Sequence, residues 1–312
     1  MALIDQLTNI RYWVLAGLLF GLAVGDIGGL GPAVIILALI IMMTISLSGL
    51  ELKAKDVSGN KKNIVLALIC CYIISTGALL ISGRFFEGLW YGWVMIAAVP
   101  CAVSVVSSTL LMKGDVKLAL VAVTVIYLAA LLLTPMFTNI FIGSAVGPLE
   151  ILKYVALFIL IPILLSFPMK KVNIPVRFRN VVINVCFFVL IFIGFGSNRE
   201  FIFDEPGTTM WIAVVCMARL ILIFFAIEFI LRRFGVPKEI RIVMNLICVW
   251  KNTSLGMALT MLLIDQPEAS LPAAILLPLE MIWLIVMIWY YQRVPPSSAD
   301  VFPGSQQHCQ NS

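Results

Sequence analysis

Long apolar runs follow one another along this chain, each close to the width of a bilayer, with short polar breaks between them. A spanning helix needs about 20 largely apolar residues. Ten runs answer to that: 12–28, 31–50, 62–83, 88–112, 116–141, 149–167, 178–197, 209–232, 238–264 and 270–292. Turn signals separate them, among them Gly28-Gly29, Gly83, Gly114-Asp115, Gly147-Pro148, Pro168, Pro206-Gly207, Gly235-Val236-Pro237 and Asp265-Gln266-Pro267. The segment before Arg11 lacks the basic start of a signal peptide, so the run after it reads as a retained first span. The tail from Val294, with Pro295-Pro296-Ser297-Ser298, reads as disordered.

Assigning the loops alternately to two sides sorts the charges. One side, which also takes both termini, holds Arg11, Lys53, Lys55, Lys61, Lys62, Lys113, Lys117, Lys170, Lys171, Arg177, Arg179, Arg232, Arg233, Lys238, Arg241 and Arg293, sixteen of the 21 basic residues. The other side holds Arg84, Lys153 and Arg199 and most of the loop acids. One missed span would scramble this asymmetry, so it supports the count. The positive-inside rule then puts both termini in the cytoplasm, for a multi-pass protein of the cell membrane. Ten spans divide as five plus five, residues 1–141 and 142–293, followed by a cytoplasmic tail, 294–312. An odd number of spans per half sets the halves in opposite orientation. Inverted repeats of this kind recur in secondary transporters, with the substrate site near the midplane where helices break.

Composition agrees: the 312 residues are 62% hydrophobic and 12% charged, with a mean hydropathy of +1.09. A soluble domain carries about 25% charged residues. The formal net charge of +5 encodes topology, which disposes of a nucleic-acid partner. The single histidine, His308, lies in the tail, so a histidine metal cluster or catalytic triad is excluded. No cysteine spacing resembles a zinc site or a disulfide framework, and no cofactor is expected. The lipid bilayer is the one partner that composition implies.

Polar residues inside the spans concentrate in the fourth run of each half. The first reads Val99-Pro100-Cys101-Ala102-Val103-Ser104-Val105-Val106-Ser107-Ser108-Thr109, and Pro100 should kink or open the helix. The second reads Val249-Trp250-Lys251-Asn252-Thr253-Ser254-Leu255-Gly256, four polar residues in mid-membrane. Unwound backbone at this depth is tolerated only against protein or a water-filled cavity. The candidate binding residues are therefore Ser104, Ser107, Ser108, Thr109, Lys251, Asn252, Thr253 and Ser254, with Cys101, Arg219, Asn245 and Glu280 around them. Serine and threonine in such helices also bond simply to backbone. Lys251 carries more weight, since an intramembrane cation is costly and faces a cavity or a partner. Glu280 is placed to pair with it. Arg219 reads equally as an anion anchor or a clamp. Glu228, four residues before Arg232, reads as half of a surface pair. Gly17, Gly21 and Gly25 give the first span a smooth face for internal packing.

These residues carry a resemblance. Pro100–Asp115, PCAVSVVSSTLLMKGD, with the apolar run to Thr134-Pro135, resembles the fourth and fifth helices of the bile acid:sodium symporter family, which open on Pro-Gly-Gly-Thr-Ala-Ser-Asn and carry a Lys-Gly-Asp turn. Asn252–Ala258, NTSLGMA, is similar to its second broken helix, Glu-x-Gly-x-Gln-Asn-Ser-Gly-Leu-Ala, and Thr44–Val57 to the end of its second helix. More distantly the chain resembles the arsenite and auxin efflux carriers. The resemblance implies an all-α fold of ten helices with broken, crossing helices 4 and 9. It also implies a panel of helices 1, 2, 6 and 7, a core of helices 3–5 and 8–10, and sodium-driven transport of an organic anion by alternating access.

The sequence departs from the family where sodium should bind. The family's Ser-Asn falls on Val105 and Val106, its glutamate on Ile247 and its glutamine on Lys251. Hydrocarbon offers sodium no ligand, and an ammonium repels it by roughly 4 kcal/mol at 4 Å for an effective dielectric of 20. Lys251 is therefore expected to replace the ion, leaving transport of a small carboxylate or bile-acid-like anion sodium-independent or linked to protons. An ordinary sodium symporter is the alternative. An arsenite-type carrier is another, on the match of Pro100-Cys101 to a Pro-Cys-Thr motif, and a non-transporting sensor a third. An intramembrane enzyme lacks the residues it needs.

Overall fold

The computed structural model describes residues 10–28, 31–48, 59–143, 146–172 and 174–293. Among these are α1 (Ile10–Val24), α2 (Gly31–Ser48), α3 (Lys61–Gly83), α5 (Val116–Ile142), α6 (Pro148–Met169), α7 (Val176–Ser197), α8 (Pro206–Arg233) and α10 (Leu271–Arg293). Between them lie two interrupted elements. The first is α4a (Trp90–Ala98) and α4b (Val105–Leu111); the second is α9a (Lys238–Val249) and α9b (Thr253–Leu263). The expected tail, His308 and most of the Thr44–Val57 patch lie outside the described residues.

Seven of the helices, α2, α3, α5, α6, α7, α8 and α10, are long and apolar enough to cross a membrane. Large apolar side chains stand exposed on their outer faces, such as Leu37 of α2, Leu132 of α5, Leu164 of α6 and Phe229 of α8. Helices apolar all round need a solvent other than water, and the bilayer supplies it. The chain is an all-α, multi-pass membrane protein.

The helices pack as one bundle, with α6 against α5, α7 against α10 and α2 against α9b. α1 lies along α7, α2 lies between α6 and α7, and the interrupted elements pack among α3, α5, α8 and α10. The glycines of α1 account for the first contact. A Cβ on Gly17 would come 2.9 Å from the Phe188 carbonyl oxygen, and one on Gly21 2.6 Å from that of Phe192. The smooth face of α1 is thus filled within the molecule, by the backbone of α7.

Glu228 is a correction. It forms no surface pair with Arg232; it is 3% exposed and turned inward. Its Oε1 accepts from Arg241 Nε at 3.1 Å, and its Oε2 from Asn245 Nδ2 at 3.0 Å and the Tyr291 hydroxyl at 2.7 Å. The network ties α8, α9a and α10 together at one end. It arises because the helix pair α8–α9a turns back tightly, and a buried carboxylate there finds a guanidinium across the turn instead of along its own helix.

Candidate functional site

Both interruptions unwind at the same place in space and pair with each other. α4a ends at Ala98, and Val99 turns extended, with φ −72° and ψ 158°. α9a ends at Val249, and Trp250 is extended, with φ −107° and ψ 111°. Cys101 and Lys251 then face each other as an antiparallel bridge. Ala102 N–H donates to the Trp250 carbonyl at 3.3 Å, and Asn252 N–H to the Pro100 carbonyl at 2.8 Å. Pro100 has no N–H to offer, so only its carbonyl enters the ladder.

A helix that stops inside a membrane strands its last carbonyls, and each must find a donor. Here side chains from other helices serve. The Ala97 carbonyl accepts from Thr76 Oγ1 at 2.7 Å, and that of Ala98 from Thr134 Oγ1 at 2.9 Å. The Val99 carbonyl accepts from Lys251 Nζ at 2.9 Å. At the other break, the Val249 carbonyl accepts from Arg219 Nη2 at 3.0 Å. Both buried cations thus sit at the negative ends of half-helices, where a positive charge is favoured.

Lys251 is 1% exposed. Its ammonium also donates to Thr76 Oγ1 at 3.1 Å, contacts Cys71 Sγ at 3.8 Å and lies 5.1 Å over the Tyr72 ring. It does not pair with Glu280. Residues 70–75 of α3 form a π-helical turn, a feature often found at functional sites, and this turn brings Cys71, Tyr72 and Ser75 to the crossing, with Thr76 directly after it. Ser75 Oγ accepts from Arg219 at 3.2 Å. Asn252 caps α9b by accepting from Leu255 N–H at 3.2 Å, and its amide donates to the Tyr127 hydroxyl at 2.8 Å.

Beside the crossing lies a cleft. Ser46 of α2, Ser104, Ser107, Lys251, Asn252, Thr253, Ser254 and Glu280 supply its polar lining; Met42 and Met43 of α2, Ile183 and Phe187 of α7, and Trp250, Leu277 and Met281 supply most of its apolar lining. Thr253 Oγ1 donates to Glu280 Oε2 at 2.8 Å. Ser107 donates to the Ser104 carbonyl at 2.9 Å. The cleft lies toward the end of the molecule where α2 finishes and α7 begins. At the opposite end α7 closes on α9b and on the segment that leads into α10. Asn198 Nδ2, just past α7, donates to Ser270 Oγ at 2.8 Å, and a Cβ on Gly194 of α7 would come 2.8 Å from Met257 Sδ of α9b.

The remaining sequence-derived residues fall elsewhere. Ser108 and Thr109 are buried off the cleft, and Thr109 donates to the Val105 carbonyl at 2.8 Å within α4b. Cys101 lies in the ladder against the Cys71 thiol, Arg219 sits behind the crossing, and Asn245 belongs to the Glu228 network. The sequence reading overlooked Thr76, Ser75, Tyr127 and Thr134. The adjacent polar pair Ser75-Thr76 inside an apolar run was the available signal for two of them. At the positions that the resemblance aligns with the family's sodium ligands, Val105, Val106 and Ile247 are buried hydrocarbon, and Lys251 donates to the Val99 carbonyl.

Interrupted helices crossing beside a cleft inside a polytopic membrane protein are the architecture of a membrane transporter. The chain is a member of one such group: the model of the sodium bile acid symporter family matches residues 36–205, more than half the chain, and the protein belongs to that family. No curated protein matches it. The matched stretch contains the first break and ends before α8, so Arg219, Lys251 and Glu280 lie beyond it.

Proposed function

We propose that the protein carries a small amphipathic organic anion across the membrane by alternating access, and that Lys251 does the work of a bound sodium ion. The observation that carries this reading is the 2.9 Å bond from Lys251 Nζ to the carbonyl that ends α4a. A cation is wanted there, and the chain supplies its own, with Arg219 doing the same for α9a. Coupling to sodium then has no purpose at this site. The cleft suits a cargo with two faces. Methionine, isoleucine and phenylalanine from α2 and α7 would hold an apolar body, and methionine adapts to varied shapes. Ser104, Ser107, Thr253, Ser254 and the first turn of α9b would hold the anionic group.

The fold supports the rest of the reading. Ten spans are counted if α1 and the two interrupted elements are added to the seven long helices. They form two inverted halves, with a panel of α1, α2, α6 and α7 against a core of the others. With both termini cytoplasmic, the cleft opens inward and the Asn198–Ser270 end is the closed outer gate.

The test is the melting temperature of the purified protein against a panel of organic anions, each in sodium and in choline, at two pH values. A ligand that binds the folded form raises stability by mass action. Stabilisation indifferent to sodium supports Lys251 as its replacement. Stabilisation that requires sodium makes the protein an ordinary symporter and sinks the proposal.

A further inference from the structure

Glu280 is a charge that the crossing does not use. It lines the cleft and is 3% exposed, yet it makes no ion pair among the described residues. Thr253 donates to Oε2 and the Lys251 backbone lies against the carboxyl, while Oε1 is buried with no hydrogen bond of ordinary geometry. A carboxylate left in that condition is expensive, and a proton removes the expense. The groups around it leave room for this. From α8 come Arg219 and Cys216. Arg219 directs its bonds to Ser75 and the Val249 carbonyl. Lys251 directs its own away, to Thr76 and the Val99 carbonyl. α4a and α9b carry no charged residue, and on α7 Arg177, Arg179 and Cys186 do not line the cleft.

We propose that Glu280 is the proton-binding group of the cleft, taking up one proton when an organic anion enters and releasing it when the anion leaves. The inference rests on the transport reading above. An anion on Thr253 and Ser254 lies beside the carboxyl that Thr253 touches, so an ionised Glu280 repels it and a protonated one does not. Linkage makes the effect mutual: the anion favours the proton and the proton favours the anion. The balance is simple: carboxylate and proton give the neutral acid, and no other bond changes. Pro278, two residues before Glu280, removes a backbone bond from α10 there and frees the segment to shift as the cleft opens and closes.

Two measurements on the full-length protein decide it. Infrared spectra of wild type and Glu280→Gln are recorded from acid to alkaline buffer without any anion. A carboxylic-acid carbonyl band in wild type, absent from Glu280→Gln and lost at alkaline pH, is the expected result. Thr253→Val, which keeps Glu280 and deletes its donor, should move that band and so identifies it even if Glu280→Gln folds poorly. No such band in wild type at any pH overturns the proposal. The second measurement titrates taurocholate binding against pH. Affinity in wild type should fall about tenfold per pH unit once Glu280 ionises, the slope of one coupled proton, and Glu280→Gln should be flat. A slope retained in Glu280→Gln overturns the assignment. Failure of taurocholate to bind wild type counts against that cargo, and the infrared band still decides Glu280.

Discussion

Lys251→Met separates charge from packing at the crossing. Methionine keeps the length of the side chain and deletes the ammonium. The lost bonds are a charge-assisted one to the Val99 carbonyl at 2.9 Å, one to Thr76 Oγ1 at 3.1 Å and the contact with the Tyr72 ring at 5.1 Å. The Val99 carbonyl is then buried and unpaired, which costs about 1–3 kcal/mol. Against this, the variant no longer has to bury an ammonium, a cost of several kcal/mol in most settings. The two nearly cancel, so folding should survive, with stability within about 2 kcal/mol of wild type. Transport should not survive so well, because the end of α4a lies beside the cleft and its carbonyl now seeks another donor. A misplacement worth about 1–3 kcal/mol in the rate-limiting state slows exchange about 5- to 150-fold. The assay is counterflow of a radiolabelled anion in proteoliposomes, with choline as the cation on both sides, beside size-exclusion and melting profiles. Lys251→Arg keeps the charge but brings a wide planar group into a slot shaped for an ammonium, and it should also be slow. A Lys251→Met protein that exchanges at the wild-type rate would refute the reasoning.

Three further perturbations test other parts of the structure. Glu228→Gln leaves the Arg241 guanidinium buried without its carboxylate and should cost about 3–5 kcal/mol, read from denaturant unfolding in detergent. Asn252→Ala removes the cap of α9b and the bond to Tyr127; about 0.5–2 kcal/mol is expected from the cap alone, and Tyr127→Phe should recover only the second contribution in a double-mutant cycle. Gly194→Leu drives a side chain into Met257 and Ala274 at the closed end, so it should hold that end open, and a cysteine placed at Ser270 should then react faster with a polar maleimide than in the Gly194 parent.

How much of this was legible in the sequence depends on where the partners come from. The apolar runs and turn signals gave the helices, because in a bilayer each helix satisfies its own backbone and local pattern decides. The first break shows what the pattern omits. Pro135, Pro162 and Pro278 also sit within apolar runs, and their helices continue through them. Pro100 ends its helix because Thr76, Thr134 and Lys251 stand ready to take the freed carbonyls, and those donors come from three other elements. A proline marks a possible opening; the donors that stabilise it are invisible until the chain is folded. The same holds for Glu228, whose partner on the sequence was Arg232 and whose partner in space is Arg241.

The balance of charge around the crossing bears on the cargo independently of any motif. Lys251 and Arg219 contribute two positive charges, and both bond to carbonyls and hydroxyls instead of carboxylates. Glu280 is the one acid lining the cleft among the described residues. With Glu280 ionised the group carries a net charge of plus one; with a proton on Glu280 it carries plus two. Either way a cation entering the cleft meets repulsion and an anion meets attraction, and the attraction is greatest when Glu280 holds its proton. Around side chains buried as deeply as Lys251, Arg219 and Glu280, these terms are larger than they would be at a surface, since screening by solvent and salt is weak there. On the proposed transport reading, the preference for an anion follows from where the chain places these charges, and the proton enters through Glu280, the acid that lines the cleft.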